Sequence, residues 1–332
     1  MPLLDSGYNH WEGTARGIWY RRMVIAGNGL GAVLGNKWFR MFLWVAWATC
    51  ILMVSALFAV GQLIVPDSMI LTIAENFEPR MRFIVGSVRS WLEENPDVAV
   101  HTVHNFLFYQ FTTWFSIFNF IAVAFAIPHL ITLDLQSRAI LVYSSKALTR
   151  VDYMIGKFLS VVGVMCLVWT GPIIVAWVAG NALSPDWTYF IFSRHVLVNV
   201  LCFTGIGMSI MGVLALGVSA VSKKERSTTG TWIVLWLLGL GVQILPLKRW
   251  LNHCSIWHNL DQIGNAIFNV RADLEFAATL FQWLDRMITR AQSRPRGMVL
   301  FLQEPQWTGV YVALGGLLLA SVAILYKRVK PE

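Results

Sequence analysis

Ionisable side chains recur at short intervals in residues 133–158, LDLQSRAILVYSSKALTRVDYMIGKF, between two long apolar runs. The stretch carries Asp134, Arg138, Lys146, Arg150, Asp152, Tyr153 and Lys157. Charges mixed with apolar residues suit a short helix that lies outside the bilayer. The alternative is that the cations only set membrane topology and bind anionic lipid.

Other stretches with chemically active residue types fall short of the patterns they would need. In GNGLGAVLGNKW (27–38), Gly35 is followed by Asn, Lys and Trp, whereas a phosphate-binding loop needs Lys and Ser or Thr after that glycine. Ser209 only half matches the motif of a membrane serine protease. Zinc takes three or four convergent ligands, and two groups hold fewer: His101 with His104, and His253 with Cys254 and His258. We therefore expect no enzyme activity and no metal or cofactor bound by this chain.

The composition indicates a polytopic membrane protein. Of 332 residues, 56% are hydrophobic and only 13% are charged, against roughly 25% in a soluble domain. The net charge of +8 lies beside the apolar runs, which favours a role in topology over nucleic-acid binding. Four scattered cysteines form neither a disulfide framework nor a CxxC site.

The apolar runs predict an all-α fold in a single domain, 1–332, with six spans. Residues 1–40 precede the first span without a cleavable signal peptide, and 15–40 resemble a basic amphipathic helix at the membrane surface. The glycines of 27–35 are expected to bend the chain between that helix and the first span. Two outer segments, 66–105 and 248–306, show helical amphipathic patterns. The predicted spans are 41–65, 106–132, 158–180, 196–221, 231–247 and 307–326.

Lys and Arg place both termini in the cytoplasm. The expected cytoplasmic pieces include the 133–158 stretch and a second short loop with Lys223, Lys224, Glu225 and Arg226. Polar residues within the predicted spans are few, and no series of carboxylates such as a proton-coupled transporter uses occurs there. Pro172 is expected to kink the third span, because proline removes a backbone hydrogen bond.

The order of residues in 134–157 resembles the loop between the second and third spans of ABC-2 type ABC transporter permeases. An acidic residue ends the second span in that family, a basic phrase follows, and a Tyr and a Gly-Lys pair open the third span. One departure is Ala147, which stands where the family usually has proline. The matching residues here are Asp134; Tyr143, Ser145, Lys146, Leu148, Thr149 and Arg150; and Tyr153, Gly156 and Lys157.

This resemblance implies the transmembrane subunit of an ATP-driven exporter in a bacterial cytoplasmic (inner) membrane. Two permease subunits would pair, as a homodimer or heterodimer, and two copies of an ATP-binding subunit would dock on a coupling helix within 134–157. ATP and Mg²⁺ would be bound by that partner. Membrane lipid is the other expected partner, and nucleic acid is not expected. A membrane scaffold or assembly factor and an ATP-independent secondary transporter remain the alternatives. The transported substrate stays open.

Overall fold

The computed structural model describes residues 17–65, 68–69, 72–73, 76, 79–137, 149–222, 224–244, 249–292 and 304–329. All regular secondary structure in these ranges is helical, which confirms the all-α prediction. The helices are α1 (Ile18–Gly35), α2 (Lys37–Gln62), α3 (Pro79–Glu94), α4 (Pro96–Ala126), α5 (Thr132–Gln136), α6 (Arg150–Met165), α7 (Gly171–Ala182), α8 (Thr188–Phe192), α9 (Arg194–Val221), α10 (Glu225–Ile244), α11 (Ile256–Phe268), α12 (Val270–Leu280), α13 (Gln282–Gln292) and α14 (Trp307–Arg328).

Five helical segments are long and apolar enough to cross a membrane: Lys37–Gln62, Pro96–Gln136, Arg150–Ala182, Arg194–Val221 and Trp307–Arg328. They correspond to the predicted spans one to four and six, and the second and third begin eight or more residues earlier than predicted. The predicted span 231–247 overlaps α10, which is not among the five, and residues 245–248 lie outside the described part. Six spans therefore stay a prediction.

Helix α1 is the basic helix predicted before the first span. It packs along α6, burying Ile25 and Val33, while Trp19 and Met23 on its other side are exposed. Its glycines lie inside the helix, so the prediction that they form the bend is wrong. The chain turns at Asn36 instead, where the Asn36 side chain accepts a hydrogen bond from the Trp38 amide at 2.9 Å and caps α2.

The second and third spans are each interrupted. After α4, residues Ile127–His129 form a 3₁₀ turn containing Pro128, and α5 follows. Between α6 and α7, Cys166–Thr170 form a π-helical turn just before Pro172, at the predicted kink. The Trp47 indole donates to the Leu167 carbonyl at 2.9 Å. Neighbouring side chains thus satisfy backbone groups that the irregular turns release.

Helix α9 lies at the centre of the bundle. Two-thirds of its most apolar stretch is buried, against about a fifth for α2 and α14 at the periphery. Glycines on α9 allow the neighbouring helices to approach it closely. A Cβ built on Gly217 would come within 2.8 Å of the Ser321 Cβ of α14. A Cβ at Gly212 would meet the Phe158 ring of α6 at the same distance. The core therefore depends on direct helix-to-helix contact around α9.

The two predicted outer segments meet in a second, smaller cluster. Trp91 of α3 packs edge-on against Phe281 with ring centroids 5.6 Å apart, and Ala277 of α12 is buried there. Residues 272–291, which show one continuous amphipathic pattern, form two helices that break at Phe281. These helices form a cap packed on the ends of the spans.

Residues 248–306 were predicted to lie outside the spans, but helix α11 within this segment packs among the other helices. Ten of its thirteen residues are buried, and it packs against α4, α9 and α10. Trp257 near its start stacks on Phe120 at 6.2 Å, and the carbonyl of Phe268 at its end accepts from Asn105 at 2.5 Å. The two ends of α11 therefore contact residues of α4 that lie fifteen positions apart, about 22 Å along that helix. Because α11 carries many polar side chains, a hydropathy pattern does not indicate that this helix is buried.

Candidate functional site

Three of the predicted motif residues meet in one buried cluster, the Asp134 cluster, formed by Asp134, Tyr153 and Lys157. The Lys157 Nζ lies 2.8 Å from the Asp134 Oδ2, and the Tyr153 hydroxyl donates to the same oxygen at 2.6 Å. Lys157 also donates to the carbonyl of His129 at 3.1 Å. The two charged side chains are only 6% and 14% exposed, for Lys157 and Asp134 respectively, so this ion pair is poorly screened by water. It joins the end of the second span to the first turns of the third.

Asp152, a fourth motif residue, ties the start of α6 to α1. Its Oδ1 accepts from the Arg22 Nε at 2.8 Å and from the Arg22 Nη2 at 2.5 Å. Its Oδ2 accepts from the hydroxyl and amide of Thr149, while the Thr149 Oγ1 accepts from the Asp152 amide. This capping box fixes the first turn of the helix and holds the carboxylate in place for Arg22.

Gly156 explains why α1 can lie so close to this turn. A Cβ built on Gly156 would come 2.8 Å from two carbons of Ile25 and 3.2 Å from the Arg22 carbonyl. One turn further along α6, Ser160 fills the space beside Gly29 of α1. The glycine of the predicted Tyr-x-x-Gly-Lys phrase is therefore a packing position, and the adjacent lysine belongs to the ion pair.

Three hydroxyl side chains anchor the helix that carries Asp134. The Thr132 Oγ1 lies 2.9 Å from the Thr228 Oγ1 of α10 and donates to the Ser219 carbonyl of α9 at 2.8 Å. The Ser219 Oγ accepts from the amides of Ile131 and Thr132 and donates to the Ile127 carbonyl at 2.9 Å. Asp134 is thereby held by α4, α9 and α10 together.

The remaining predicted site residues are not part of these contacts. Arg150, the first residue of α6, is exposed, as are Lys224, Glu225 and Arg226 at the start of α10. Within the described ranges, none of these four has an ion pair. Arg138 and Lys146, two of the predicted coupling-loop residues, lie in 138–148, outside the described residues. Lys223 also lies outside them.

Arg22 is a member of this site that the sequence analysis missed. It lies 130 residues from Asp152, and no local pattern indicates that distant partner. The only available signal is its position on a basic helix with an apolar face. The site positions helices against one another through buried charges and hydroxyls, and Arg150 and Lys224 are exposed cations near it in the sequence.

A second polar group surrounds α11, at the opposite end of the bundle from Asp134. The Tyr109 hydroxyl of α4 donates to the Asp261 Oδ1 at 2.8 Å, and burial raises the pKa of Asp261 to about 6. Near the start of α11, the His253 Nδ1 lies 2.9 Å from the Asn259 Oδ1, and the rings of His253 and His258 are 5.2 Å apart. Burial, with a smaller effect of His253, lowers the pKa of His258 to about 4. Searched over the described ranges, no group of three His, Cys, Asp or Glu side chains could hold a metal ion.

No protein-family model matches this chain, and a search of curated proteins finds no match either. A functional assignment therefore has to come from the residues of the chain itself.

Proposed function

We propose that this protein is the permease subunit of an ATP-driven exporter of the ABC-2 type, in a bacterial cytoplasmic membrane with both termini inside the cell. The observation that carries the proposal is the Asp134 cluster. Asp134 precedes the undescribed 138–148 segment, and Tyr153 and Lys157 follow it, so the ion pair closes the base of that loop. Five helices suited to cross a membrane are compatible with a transport subunit.

The proposed mechanism transmits a mechanical displacement. An ATP-binding subunit docks on the loop between α5 and α6, with Arg150 as one of its contacts, and a second copy acts on a second permease subunit. Because the base of the loop is fixed to α4, α9 and α10 through buried contacts, a push on the loop moves these helices as a rigid unit. The links that would carry the movement are the Lys157–Asp134 pair and the Thr132–Ser219–Thr228 hydroxyls.

Arg150→Glu and Arg194→Glu form a matched pair for testing this proposal. Each arginine is exposed and is the first residue of a long helix, but Arg194 starts α9 at the end of the bundle away from Asp134. The tagged protein is purified from its host in mild detergent and assayed for ATP hydrolysis and for labelling by a photoreactive ATP analogue.

We expect the wild type and Arg194→Glu to retain a co-purified, ATP-labelled subunit and its hydrolysis, and Arg150→Glu to lose both. Equal retention by both variants would remove Arg150 from the docking surface. Absence of any ATP-binding subunit from the wild type, also after mild cross-linking in intact cells, would contradict the proposal and favour the scaffold alternative.

ATP-independent secondary transport is the second candidate, and Asp261 is the observation that favours it. The sequence analysis found no buried carboxylates of the kind that ion-coupled transporters use. The structure places one among the helices, hydrogen-bonded to Tyr109. Uptake or export by proteoliposomes driven by a pH gradient in the absence of ATP would support this candidate over the first.

A further inference from the structure

Asp261 is buried in a setting that does not favour its ionised form. The residue is 7% exposed, and its Oδ1 accepts the hydrogen bond from Tyr109. Its Oδ2 is buried and has no hydrogen-bond partner among the described residues. Within the described ranges, no Lys or Arg forms an ion pair with this carboxylate. An ionised carboxylate with one unpaired oxygen in such a place is costly, whereas the neutral acid is not.

Close packing around the carboxylate limits what could bind there. The ring of Tyr109 lies 5.7 Å from that of Phe268, which in turn lies 6.1 Å from Phe203. A Cβ at Gly264, one turn along α11 from Asp261, would already meet Phe203 at 3.1 Å and Tyr109 at 3.4 Å. A proton needs no additional volume, unlike an organic cation or a hydrated metal ion. The packing therefore selects the proton as the ligand.

Other titratable groups on the surrounding helices have partners of their own. Apart from Tyr109, helix α4 carries His104, whose ring is 6.3 Å from that of Tyr189, and His101, which lies 3.9 Å from Asp273 of α12. His258 on α11 itself faces His253 of the preceding 3₁₀ turn. The charged ends of the other helices packed on α11 lie away from Asp261. These ends are Arg194 and His195 on α9, Glu225 and Arg226 on α10, and Lys327 and Arg328 on α14.

We propose that Asp261 is a proton-binding site that controls whether α11 stays seated between α4 and α9. With the proton bound, the neutral acid remains between the helices, hydrogen-bonded to Tyr109. Release of the proton to water leaves a carboxylate that must be hydrated, and α11 then separates from α4 to admit that water. The site lies about 34 Å along the α4 direction from Thr132, at 1.5 Å per residue, so it responds to the solution at the end of the bundle opposite the Asp134 cluster. Proton binding at Asp261 follows from the geometry of α11, and we expect it whether ATP hydrolysis or an ion gradient drives transport.

Infrared spectroscopy of the purified protein tests proton binding directly. The carboxylic-acid C=O band is followed between about pH 4.5 and about pH 8, a range that lies above the ordinary pKa of an aspartate, about 3.9, and spans the raised pKa of Asp261. We expect the wild type to show a band that disappears in this range, Asp261→Asn to lack it, and Asp97→Asn, which changes an exposed aspartate at the start of α4, to keep it. Tyr109→Phe removes the hydrogen bond to the ionised form and should move the midpoint to higher pH.

Amide hydrogen exchange tests the movement of α11. After correction for the intrinsic effect of pH, exchange of residues 256–268 should increase above the band midpoint in the wild type and stay constant in Asp261→Asn. If Asp261→Asn fails to fold, Tyr109→Phe still provides the test, because its exchange and its infrared band must shift together. A band that is identical in the wild type and Asp261→Asn, or a Tyr109→Phe midpoint unchanged or at lower pH, would overturn the proposal.

Discussion

Replacing Lys157 by methionine removes the cation of the Asp134 cluster while nearly preserving the length of its side chain. Asp134 then keeps only the hydrogen bond from Tyr153, in a place where its side chain is 14% exposed. Removing one partner of a buried ion pair costs about 3–5 kcal/mol. We expect a loss of stability near the lower value, about 3 kcal/mol, because the remaining hydrogen bond and slight exposure stabilise the carboxylate.

The double variant Asp134→Asn with Lys157→Met separates the ion pair from other effects. Asparagine still accepts the Tyr153 hydrogen bond, and no uncompensated charge remains. The double variant should therefore lose only about 1 kcal/mol, mostly from the unpaired carbonyl of His129. The assay is denaturant unfolding of the purified protein in mixed micelles, followed by tryptophan fluorescence. Refolding is checked for each variant, because membrane proteins can unfold irreversibly.

Lys224→Met is the control for loss of a lysine. Lys224 is exposed at the start of α10 and should change the free energy of unfolding by less than about 0.5 kcal/mol. The refuting result is additivity. If the double variant is as unstable as the sum of the two single variants, then Asp134 and Lys157 do not form the buried pair, and the loop base is not fixed as described.

Three further changes follow from the same contacts. Gly156→Val should destabilise the protein by about 1–3 kcal/mol, because the new side chain meets Ile25, whereas Gly31→Ala, with open space around it, should be neutral or slightly stabilising in the same unfolding assay. Ser219→Ala should cost about 1–3 kcal/mol and loosen α5 in amide exchange, since buried amides lose their acceptor. Burial raises the pKa of Asp261 from 3.8 to about 6, so stability should fall by about 3 kcal/mol as pH rises from about 3 to about 7. Asp261→Asn should abolish that dependence, and a flat wild-type curve would contradict the assignment.

Five of the predicted spans correspond to long apolar helices, because long apolar runs leave few other structures possible, and the span 231–247 stays a prediction. The sequence also selected Asp134, Tyr153 and Lys157, which lie within 24 residues of one another and meet as soon as the second and third spans pack side by side. The pairing of Arg22 with Asp152 was not predictable in the same way, because any of the basic residues before α2 fits the amphipathic pattern equally well.

Helix α11 was misplaced for a different reason. Hydropathy treats each polar side chain as solvent-exposed, but Asn259 and Gln262 of α11 form hydrogen bonds with nearby backbone groups. The Asn259 amide donates to the carbonyls of His253 and Ser255 at 2.6 and 2.9 Å, and the Gln262 Oε1 accepts from the amide of Gln306 at 3.2 Å. Such pairing makes burial possible, and it becomes visible only when the tertiary contacts are known.

The contact between α1 and α6 also has a consequence for biosynthesis. Arg22 emerges from the ribosome 130 residues before its partner Asp152, a delay of about 7–26 s at 5–20 residues per second. During that interval, while two further spans are made, Ile25, Gly29 and Val33 have no α6 to cover them. The N-terminal helix is therefore made first but docks late, and a chain terminated before residue 150 would display this uncovered face to the quality-control machinery of the membrane.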